Sequence, residues 1–241
     1  MECTIHPLGD QAVICRLGDA DADDTELKIR SVTAALTDRP PVWLTEYVSS
    51  YTSVTVYYDI RNCPAGKSPY DHVSQQLATL IGSLDPATQI PRRTVRLPVL
   101  YGGMEGPDLL YVASIAGMTP DEVVRQHAAG RYIVRMIGFS PGFPFLSGLP
   151  AALSMPRKQT PRLSIPERSV GIAGRQTGVY PISTPGGWQL IGRTPVDLFM
   201  PDREPPSLLE PGDLLEFCPI TQQQYDEIRE ETSCLNYSGP D

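Results

Sequence analysis

The stretch from Gly138 to Pro201 contains three unusual strings: GFSPGFPFLSGLP at residues 138–150, SVGIAGRQTGVYP at 169–181 and STPGGWQLIGRTP at 183–195. Glycine and proline recur every few residues, which excludes a long helix. Short apolar runs lie between these breaks, at 169–172, 179–182 and 188–191. Runs of this length between turn residues predict short strands joined by tight turns, as in a β-barrel or sandwich.

Four arginines accompany this stretch: Arg157 and Arg162 each follow a proline, Arg175 lies between Gly174 and Gln176, and Arg193 follows Gly192. Guanidinium groups on stiff backbone suit the recognition of a carboxylate or phosphate. The glycine-rich backbone at 171–178 and at Gly186–Gly187 can add N–H donors for an anion. The alternative is a set of ordinary solvated arginines on a turn-rich barrel, and the residues alone leave both readings open.

The composition is that of a globular protein. Of 241 residues, 41% are hydrophobic and 20% charged, and proline, at 25 residues, is about twice its average usage. A net charge of −8 argues against nucleic acid or an anionic membrane as a general partner. No apolar run approaches the ~20 residues of a membrane-spanning helix, and the first residues lack the features of a signal peptide. We therefore expect a cytoplasmic protein with its five cysteines reduced and mostly buried.

Residues 1–90 are predicted to form a small α+β domain. Its predicted strands are 12–17, 42–47 and 52–58, and its predicted helices are 26–37 and 69–84, from apolar residues at the corresponding periods. Asp24 or Thr25 is the expected cap of the first helix. The order strand, helix, two strands, helix is most of a split βαβ unit, which indicates a ferredoxin-like domain.

Residues 91–241 are predicted to form a mainly β domain with two short helices near its start and one near its end. The predicted strands are 94–100, 132–137 and one within 208–217, and the predicted helices are 109–116, 120–129 and 221–230. Thr119, Pro120 and Glu122 have the spacing of a capped helix start. Residues 233–241 are expected to form a frayed tail.

The strings at 138–150, 169–181 and 183–195, with the Pro-Arg steps at 156–157 and 161–162, resemble one family. It is the family of the B-type subunit of bacterial 5-oxoprolinase, also known under the older name allophanate hydrolase, and it includes the Kip-type inhibitor of a sporulation histidine kinase. PLGDQA at 7–12 and PVLYGG at 98–103 extend the resemblance over nearly the whole chain. This chain departs from the family pattern at Glu167–Arg168 and at Arg175, where the family tends to have small residues.

The resemblance implies a cyclophilin-like barrel in the second domain and a component of an ATP-dependent 5-oxoprolinase. Such an enzyme opens the lactam of 5-oxoproline to glutamate, using ATP with Mg²⁺ as the expected cofactor. The implied partners are a paralogous C-type subunit and a separate A-type subunit, and the chain alone is expected to be inactive. The substrate is a small carboxylate, which suits an arginine clamp.

The candidate site residues follow from the residue patterns and from the family resemblance. His127 is the candidate catalytic base, because it lies near the end of the helix that precedes the strand into the stretch 138–201, and the family has a histidine there; the alternative is a histidine that stabilises the helix end. His6 and His72 have no motif around them. The candidate substrate- or nucleotide-binding residues are Gly174, Arg157, Arg162, Arg175, Gln176, Gly186, Gly187 and Arg193.

Four carboxylates, Asp108, Glu122, Asp197 and Asp213, lie near these motifs, but no spacing singles out a metal ligand, and no metal site is predicted. Trp188 and Tyr180 are expected to be core or rim aromatics. Two other functions are compatible with the resemblance. One is a regulatory protein that blocks a histidine kinase through its barrel surface, and the other is a carboxyltransferase-like protein acting on urea-derived substrates.

Overall fold

The structure is a computed structural model that describes residues 1–19, 23–85 and 91–237, with the backbone alone for residue 23 and residues 232–237. The chain divides into two compact units, Met1–Pro91 and Arg92–Asp241. The cap of the first helix and the last four residues of the chain lie outside the described residues.

The first unit is an antiparallel sheet covered by two helices. Its strands are β1 (Thr4–Pro7), β2 (Ala12–Arg16), β3 (Leu44–Ser49) and β4 (Ser53–Tyr58), and its helices are α1 (Asp23–Asp38) and α2 (Pro69–Ser83). The sheet order is β1-β2-β4-β3. Apolar side chains from both helices and from the sheet form one core, in which Val32, Leu36, Leu77 and Ile81 are fully buried. This α+β unit matches the expected class.

Two details of the first unit differ from the expectation. Strand β1 was not predicted, because Thr4, His6 and Pro7 are exposed and do not alternate with buried apolar residues. Helix α1 begins at Asp23, so that Asp24 and Thr25 lie inside the helix and do not cap it. The second helix follows the usual pattern, since the Ser68 side chain accepts a hydrogen bond from the Asp71 N–H.

The second unit contains a closed barrel of seven strands. The barrel strands are β5 (Thr94–Tyr101), β6 (Tyr132–Ile137), β7 (Pro144–Ser147), β9 (Ser169–Ala173), β10 (Gln176–Val179), β12 (Gln189–Arg193) and β13 (Leu214–Pro219). Their order around the barrel is β10-β7-β6-β13-β5-β12-β9. Strands β13 and β5 run parallel, and the other barrel neighbours are antiparallel. A separate two-stranded sheet joins β8 (Arg162–Ile165) to β11 (Thr184–Gly186).

In the described part of this unit, three α-helices accompany the barrel: α3 (Leu109–Ala116), α4 (Pro120–Ala129) and α5 (Gln222–Tyr237). The first two have the predicted bounds, because their start and stop signals are local. Thr119 caps α4 by accepting a hydrogen bond from the Glu122 N–H at 3.2 Å, and Gly117 ends α3 in the left-handed conformation with φ of 66°. The closed barrel agrees with the expected mainly β class.

Three details of the second unit differ from the expectation. The run 179–182 is not a strand, because β10 ends at Val179 and the following Pro181 carries no N–H for a ladder. Strands β7, β8 and β11 were not predicted, since each is only three or four residues long. Helix α5 continues to Tyr237, so residues 233–237 are helical where a frayed tail was expected.

Candidate functional site

A cluster of aromatic rings lies beside the barrel strands and centres on Phe143. The ring centroids of Phe139, Phe145, Tyr180 and Trp188 lie 5.5, 4.9, 5.2 and 5.6 Å from that of Phe143, all in edge-on geometry. Such pairs contribute roughly 0.5–1.5 kcal/mol each beyond their buried area. Mutual contact of this kind holds the rings in fixed positions, so the cluster is a preformed apolar wall.

A cavity of about 130 Å³ opens against this wall. It is lined by the five rings and by Arg157, Pro185, Gly186 and Gly187. A Cβ atom at Gly186 would lie 2.6 Å from Ile165 Cδ1 and 2.8 Å from the Tyr180 hydroxyl, whereas at Gly187 the nearest atom would be 3.6 Å away. Glycine at position 186 is therefore required for the close approach of the Tyr180 hydroxyl to this backbone.

Phe139 stands at the rim of the cavity. It is 67% exposed, and its φ of 70° lies in the left-handed region that bulky side chains avoid. Backbone hydrogen bonds from Gly138 N–H to Phe143 C=O and from Phe143 N–H to Ser140 C=O close the turn that holds it. Conformations of this kind persist where the surrounding structure enforces them, and they concentrate at binding sites.

Three of the side chains that line the cavity carry hydrogen-bond donors. The described part of the chain supplies neither an ion-pair partner nor a hydrogen-bond acceptor to the exposed Arg157 guanidinium, the Tyr180 hydroxyl or the Trp188 indole N–H. Burial raises the pKa of Tyr180 to about 12, although the guanidiniums of Arg157 and Arg162 act in the opposite direction. The Tyr180 hydroxyl is therefore protonated at neutral pH and can donate a hydrogen bond.

Arg162 has a different environment, because it is paired with a buried carboxylate. Asp108 accepts hydrogen bonds from Arg162 Nη2 at 2.8 Å, Lys158 Nζ at 3.3 Å and the Leu190 N–H at 2.7 Å. Burial raises the pKa of Asp108, but the Arg162 and Leu190 hydrogen bonds outweigh it and hold that pKa below its usual range. The cluster ties the loop that carries Arg157 to α3 and β12.

Arg193 and Arg168 are also engaged in ion pairs. Arg193 Nε donates to the Glu167 carbonyl at 2.8 Å, and its Nη1 lies 3.2 Å from Glu105 Oε2. The buried Arg168 donates to Asp197 Oδ1 at 2.8 Å and has a φ of 67°. The departure from the family pattern at this position thus creates an internal salt bridge.

Arg175 lies at the tip of the β9–β10 hairpin and is not among the residues that line the cavity. Gly174 takes a φ of 56° in that turn, and its carbonyl accepts hydrogen bonds from Ser154 Oγ at 2.9 Å and the Met155 N–H at 3.2 Å. Gln176 begins β10. The cavity therefore brings together Arg157, Gly186 and Gly187 from the candidate set, but not Gly174, Arg175 or Gln176.

His127 is fully buried inside the barrel, and both ring nitrogens are hydrogen-bonded. The Thr177 hydroxyl donates to the Gly171 carbonyl at 2.9 Å, so it accepts from His127 Nε2 at 3.0 Å, and Nδ1 then accepts from the Tyr101 hydroxyl at 2.8 Å. Burial lowers the pKa of His127 to about 3. The imidazole is thus neutral at physiological pH, with both ring nitrogens hydrogen-bonded within the protein.

The remaining candidates form pairs within the protein. Glu122 is paired with Arg125 and Gln126, and Asp213 accepts hydrogen bonds from Arg93 and from the Glu210 N–H. His72 Nε2 lies 3.1 Å from the Gln76 side chain, and His6 is an exposed residue of β1.

Neither a metal centre nor a membrane-spanning helix occurs among the described residues. No group of three or more His, Cys, Asp or Glu side chains among them is placed to hold a metal ion. None of the helices in the described ranges combines the length and the apolar character needed to cross a membrane.

The cavity residues Phe139, Phe143 and Phe145 were not predicted as site residues, although they form part of GFSPGFPFLSGLP. The sequence signal for them was the repetition of phenylalanine between glycine and proline in this string. Several aromatic side chains on one short, turn-rich segment lie close together and can form a common apolar surface. Tyr180 and Trp188 were expected in the core or at the rim. They are both buried and cavity-lining.

Comparisons with known proteins agree with this architecture. The family described as carboxyltransferase domain, subdomain C and D, matches residues 3–209. The chain is 43% identical to the B-type subunit of 5-oxoprolinase from Bacillus subtilis (strain 168) over 234 residues, which covers 95% of this chain and 98% of that protein. The crystal structure of TTHA0988 is 34% identical with a TM-score of 0.75, and the match covers 88% of this chain but only 40% of that one.

A more distant structure, the Kluyveromyces lactis urea carboxylase, is 18% identical with a TM-score of 0.70 over 95% of this chain and 23% of that one, and it shares the fold alone. The match to the Bacillus protein, in contrast, extends over both units and nearly the full length of each protein. This chain therefore belongs to the family of 5-oxoprolinase B-type subunits, within the wider family of carboxyltransferase domains.

Proposed function

We propose that this chain is the B-type component of a 5-oxoprolinase, which converts 5-oxoproline to glutamate. The observation that carries the proposal is the 43% identity to the corresponding Bacillus 5-oxoprolinase protein along 98% of that protein's length. The site described above supports it, because a small cavity with an apolar wall and a guanidinium that has no partner among the described residues suits a small cyclic carboxylate.

The reaction requires an input of energy, because the lactam bond is stabilised by resonance in a five-membered ring. We propose that ATP, held with Mg²⁺, transfers its γ-phosphoryl group to the lactam oxygen, so that the ring carbon becomes electrophilic. Water then adds to that carbon, the C–N bond breaks and the nitrogen leaves as an amine, which gives an acyl phosphate. A second water molecule hydrolyses the acyl phosphate to glutamate and inorganic phosphate. Guanidinium groups near the substrate stabilise the charge that develops.

The expected roles of the candidate residues change with this geometry. Arg157 is the best placed to meet the substrate, since Asp108 already pairs with Arg162 and Glu105 with Arg193. His127 has both nitrogens engaged in the barrel interior, so we assign it a structural role and expect the reacting proton to be moved by another group of the complex.

The finer architecture belongs to the same proposal. In the first unit, α1 connects β2 to β3, and β4 lies between these two strands. This connection supports the split βαβ, ferredoxin-like arrangement that we propose for the unit, in which the N-terminal strand β1 takes the outer place beside β2. For the second unit we propose the cyclophilin-like form of the seven-stranded barrel that the family resemblance implies.

The proposal includes assembly with a paralogous C-type subunit and a separate A-type subunit. Helix α3 supports it, because apolar side chains also occupy its outward face: Leu110 is 73% exposed, Ile115 55% and Tyr111 46%. The preceding loop adds Met104, which is 96% exposed. Several exposed apolar side chains on one helix and the loop before it favour a protein interface. In TTHA0988, moreover, the region like this chain is only 40% of the polypeptide.

The test is co-expression of this chain with its A-type and C-type candidates, followed by purification and an assay of ADP and glutamate formation from ATP and 5-oxoproline. We expect turnover by the complex and none by the single chain. Leu110→Glu should abolish co-purification with the C-type subunit while the exposed control Leu163→Glu, on β8, retains it. Absence of 5-oxoproline-dependent ADP formation by the assembled complex would overturn the assigned reaction.

A further inference from the structure

The lining of the aromatic cavity suits a ligand that is mainly apolar and carries one negative charge. Its only charged lining residue among the described residues is Arg157, and no carboxylate lines it. The two cations that follow it in sequence, Lys158 and Arg162, are both paired with Asp108. The positive charge of Arg157 is therefore left to a ligand.

A second donor supports the same conclusion. Tyr180 is only 2% exposed, lines the cavity, and its hydroxyl has no acceptor in the described part of the chain. The hydroxyl lies beside the backbone of Gly186, where an added Cβ would approach it within 2.8 Å. Because Tyr180 lines the cavity, an oxygen of a ligand placed there can accept a hydrogen bond from this hydroxyl.

The size of the cavity restricts the ligand class. At about 130 Å³ it is well below the roughly 300–1,000 Å³ of pockets that hold drug-sized molecules. A nucleotide is in that larger class, because it carries a base, a ribose and a phosphate chain. A single five-membered ring with one carboxylate is a better match in size and in polarity.

We propose that this cavity is the 5-oxoproline subsite, in which the substrate carboxylate pairs with Arg157, the ring packs against Phe143 and Trp188, and the Tyr180 hydroxyl donates to a ligand oxygen, while ATP binds elsewhere in the complex. This inference rests on the proposed function and extends it, since the family relationship does not say which chain or which cavity holds the lactam. Phe139 borders the opening and shields the ring from water.

The test separates the carboxylate from the ring. Binding of 5-oxoproline and of 2-pyrrolidinone, which has the same lactam ring without the carboxylate, is measured by calorimetry on the assembled complex, for wild type, Arg157→Gln and Arg157→Lys. We expect Arg157→Gln to weaken 5-oxoproline binding about ten- to a hundredfold, the usual effect of losing a charged hydrogen bond, and to leave 2-pyrrolidinone unchanged. Arg157→Lys should recover only part of the loss, since a point charge lacks the planar fork.

Arg203→Gln is the matched control, because it makes the same change at an exposed arginine outside the cavity lining. It should bind both ligands as wild type does. Tyr180→Phe should weaken both ligands several-fold without changing the affinity for ATP. Unchanged 5-oxoproline affinity in Arg157→Gln, an equal loss in Arg203→Gln, or no binding of 5-oxoproline to the complex would overturn the subsite.

The two proposals fail differently. If the complex hydrolyses ATP in response to 5-oxoproline but Arg157→Gln leaves the KM for 5-oxoproline unchanged, the cavity is not the subsite and the assigned reaction stands. If Arg157-dependent binding of 5-oxoproline is found without any turnover, the subsite stands and the assigned reaction does not.

Discussion

His127 and Arg157 belong to the same unit, but they differ in whether their polar atoms have hydrogen-bond partners within the protein. His127 is fully buried, and each ring nitrogen has a hydrogen-bond partner, as does the Thr177 hydroxyl beyond it. Arg157 is exposed at a cavity and has no such partner among the described residues. The first arrangement is complete within the protein, whereas the second becomes complete only with a ligand.

The comparison shows that a motif position does not by itself distinguish structure from function. Arg162 and Arg193, like Arg157, lie in the family motifs, and Asp108 lies near them, yet each of these three is neutralised by a neighbour in the fold. We call the residues whose hydrogen-bond or ion-pair partners lie within the protein the satisfied group. Substitutions in this group should mainly change the free energy of unfolding, because they leave buried partner groups unpaired. Substitutions of Arg157 should mainly change the affinity for the ligand of the cavity.

The largest effect on stability is expected at Asp108. Asp108→Ala removes the shared partner of Arg162, Lys158 and the Leu190 N–H, of which the last is buried. Breaking a buried pair in this way typically costs about 3 kcal/mol or more. Urea denaturation should show that loss for the alanine variant and a smaller one for Asp108→Asn, which keeps an acceptor. A loss of less than about 1 kcal/mol of unfolding free energy, the size seen for exposed salt bridges, would mean that the Asp108 pairs do not stabilise the fold as buried pairs do.

A smaller effect, visible through its pH dependence, is expected at His127. The folded protein keeps this imidazole neutral down to pH about 3, while the unfolded chain takes up a proton near pH 6.5. Acidification through this window therefore favours the unfolded state, by about 1.4 kcal/mol per pH unit. From pH 7 to pH 5 wild type should lose about 2 kcal/mol more unfolding free energy than His127→Gln, which has no titrating ring. Parallel pH profiles for the two proteins would show that His127 is accessible to protons in the folded state.

The smallest and most local contrast is between two adjacent glycines of the cavity. Gly186→Ala places a methyl group against Ile165 and Tyr180 and should cost about 1–2 kcal/mol, whereas Gly187→Ala meets only ordinary contacts and should change stability by less than about 0.5 kcal/mol. Thermal melts of both variants provide the measurement. Equal melting temperatures would mean that the close approach of the Tyr180 hydroxyl to residue 186 is not enforced by packing.

Much of the second unit was accessible from local sequence signals. Helices α3 and α4 and strand β6 have the predicted bounds, because Thr119, Pro120 and Gly117 determine starts and stops within a few residues. Strands β8 and β11 were missed, since strands of three or four residues have no periodicity of their own and exist through their pairing with each other.

The sequence predicted only some of the site residues and nothing of their arrangement. The arginines, Gly186 and Gly187 were visible in the sequence, and so was the histidine at the end of α4. Asp108 and Arg162, however, are 54 residues apart, and His127 and Thr177 are 50 apart. A local sequence pattern cannot predict such pairs, because the two residues come close together only when the barrel closes.

The sequence by itself therefore determined the family, the mainly β character of the second unit and the presence of arginines on stiff, turn-rich backbone. Those properties depend on residue types and short spacings, which act locally along the chain. The tertiary structure alone decided that His127 is neutral and internal, that Arg162 is paired and that Arg157 remains available at an aromatic cavity. Burial and ion pairing depend on distances between residues remote in sequence, and the free energy of a charged group follows from those surroundings.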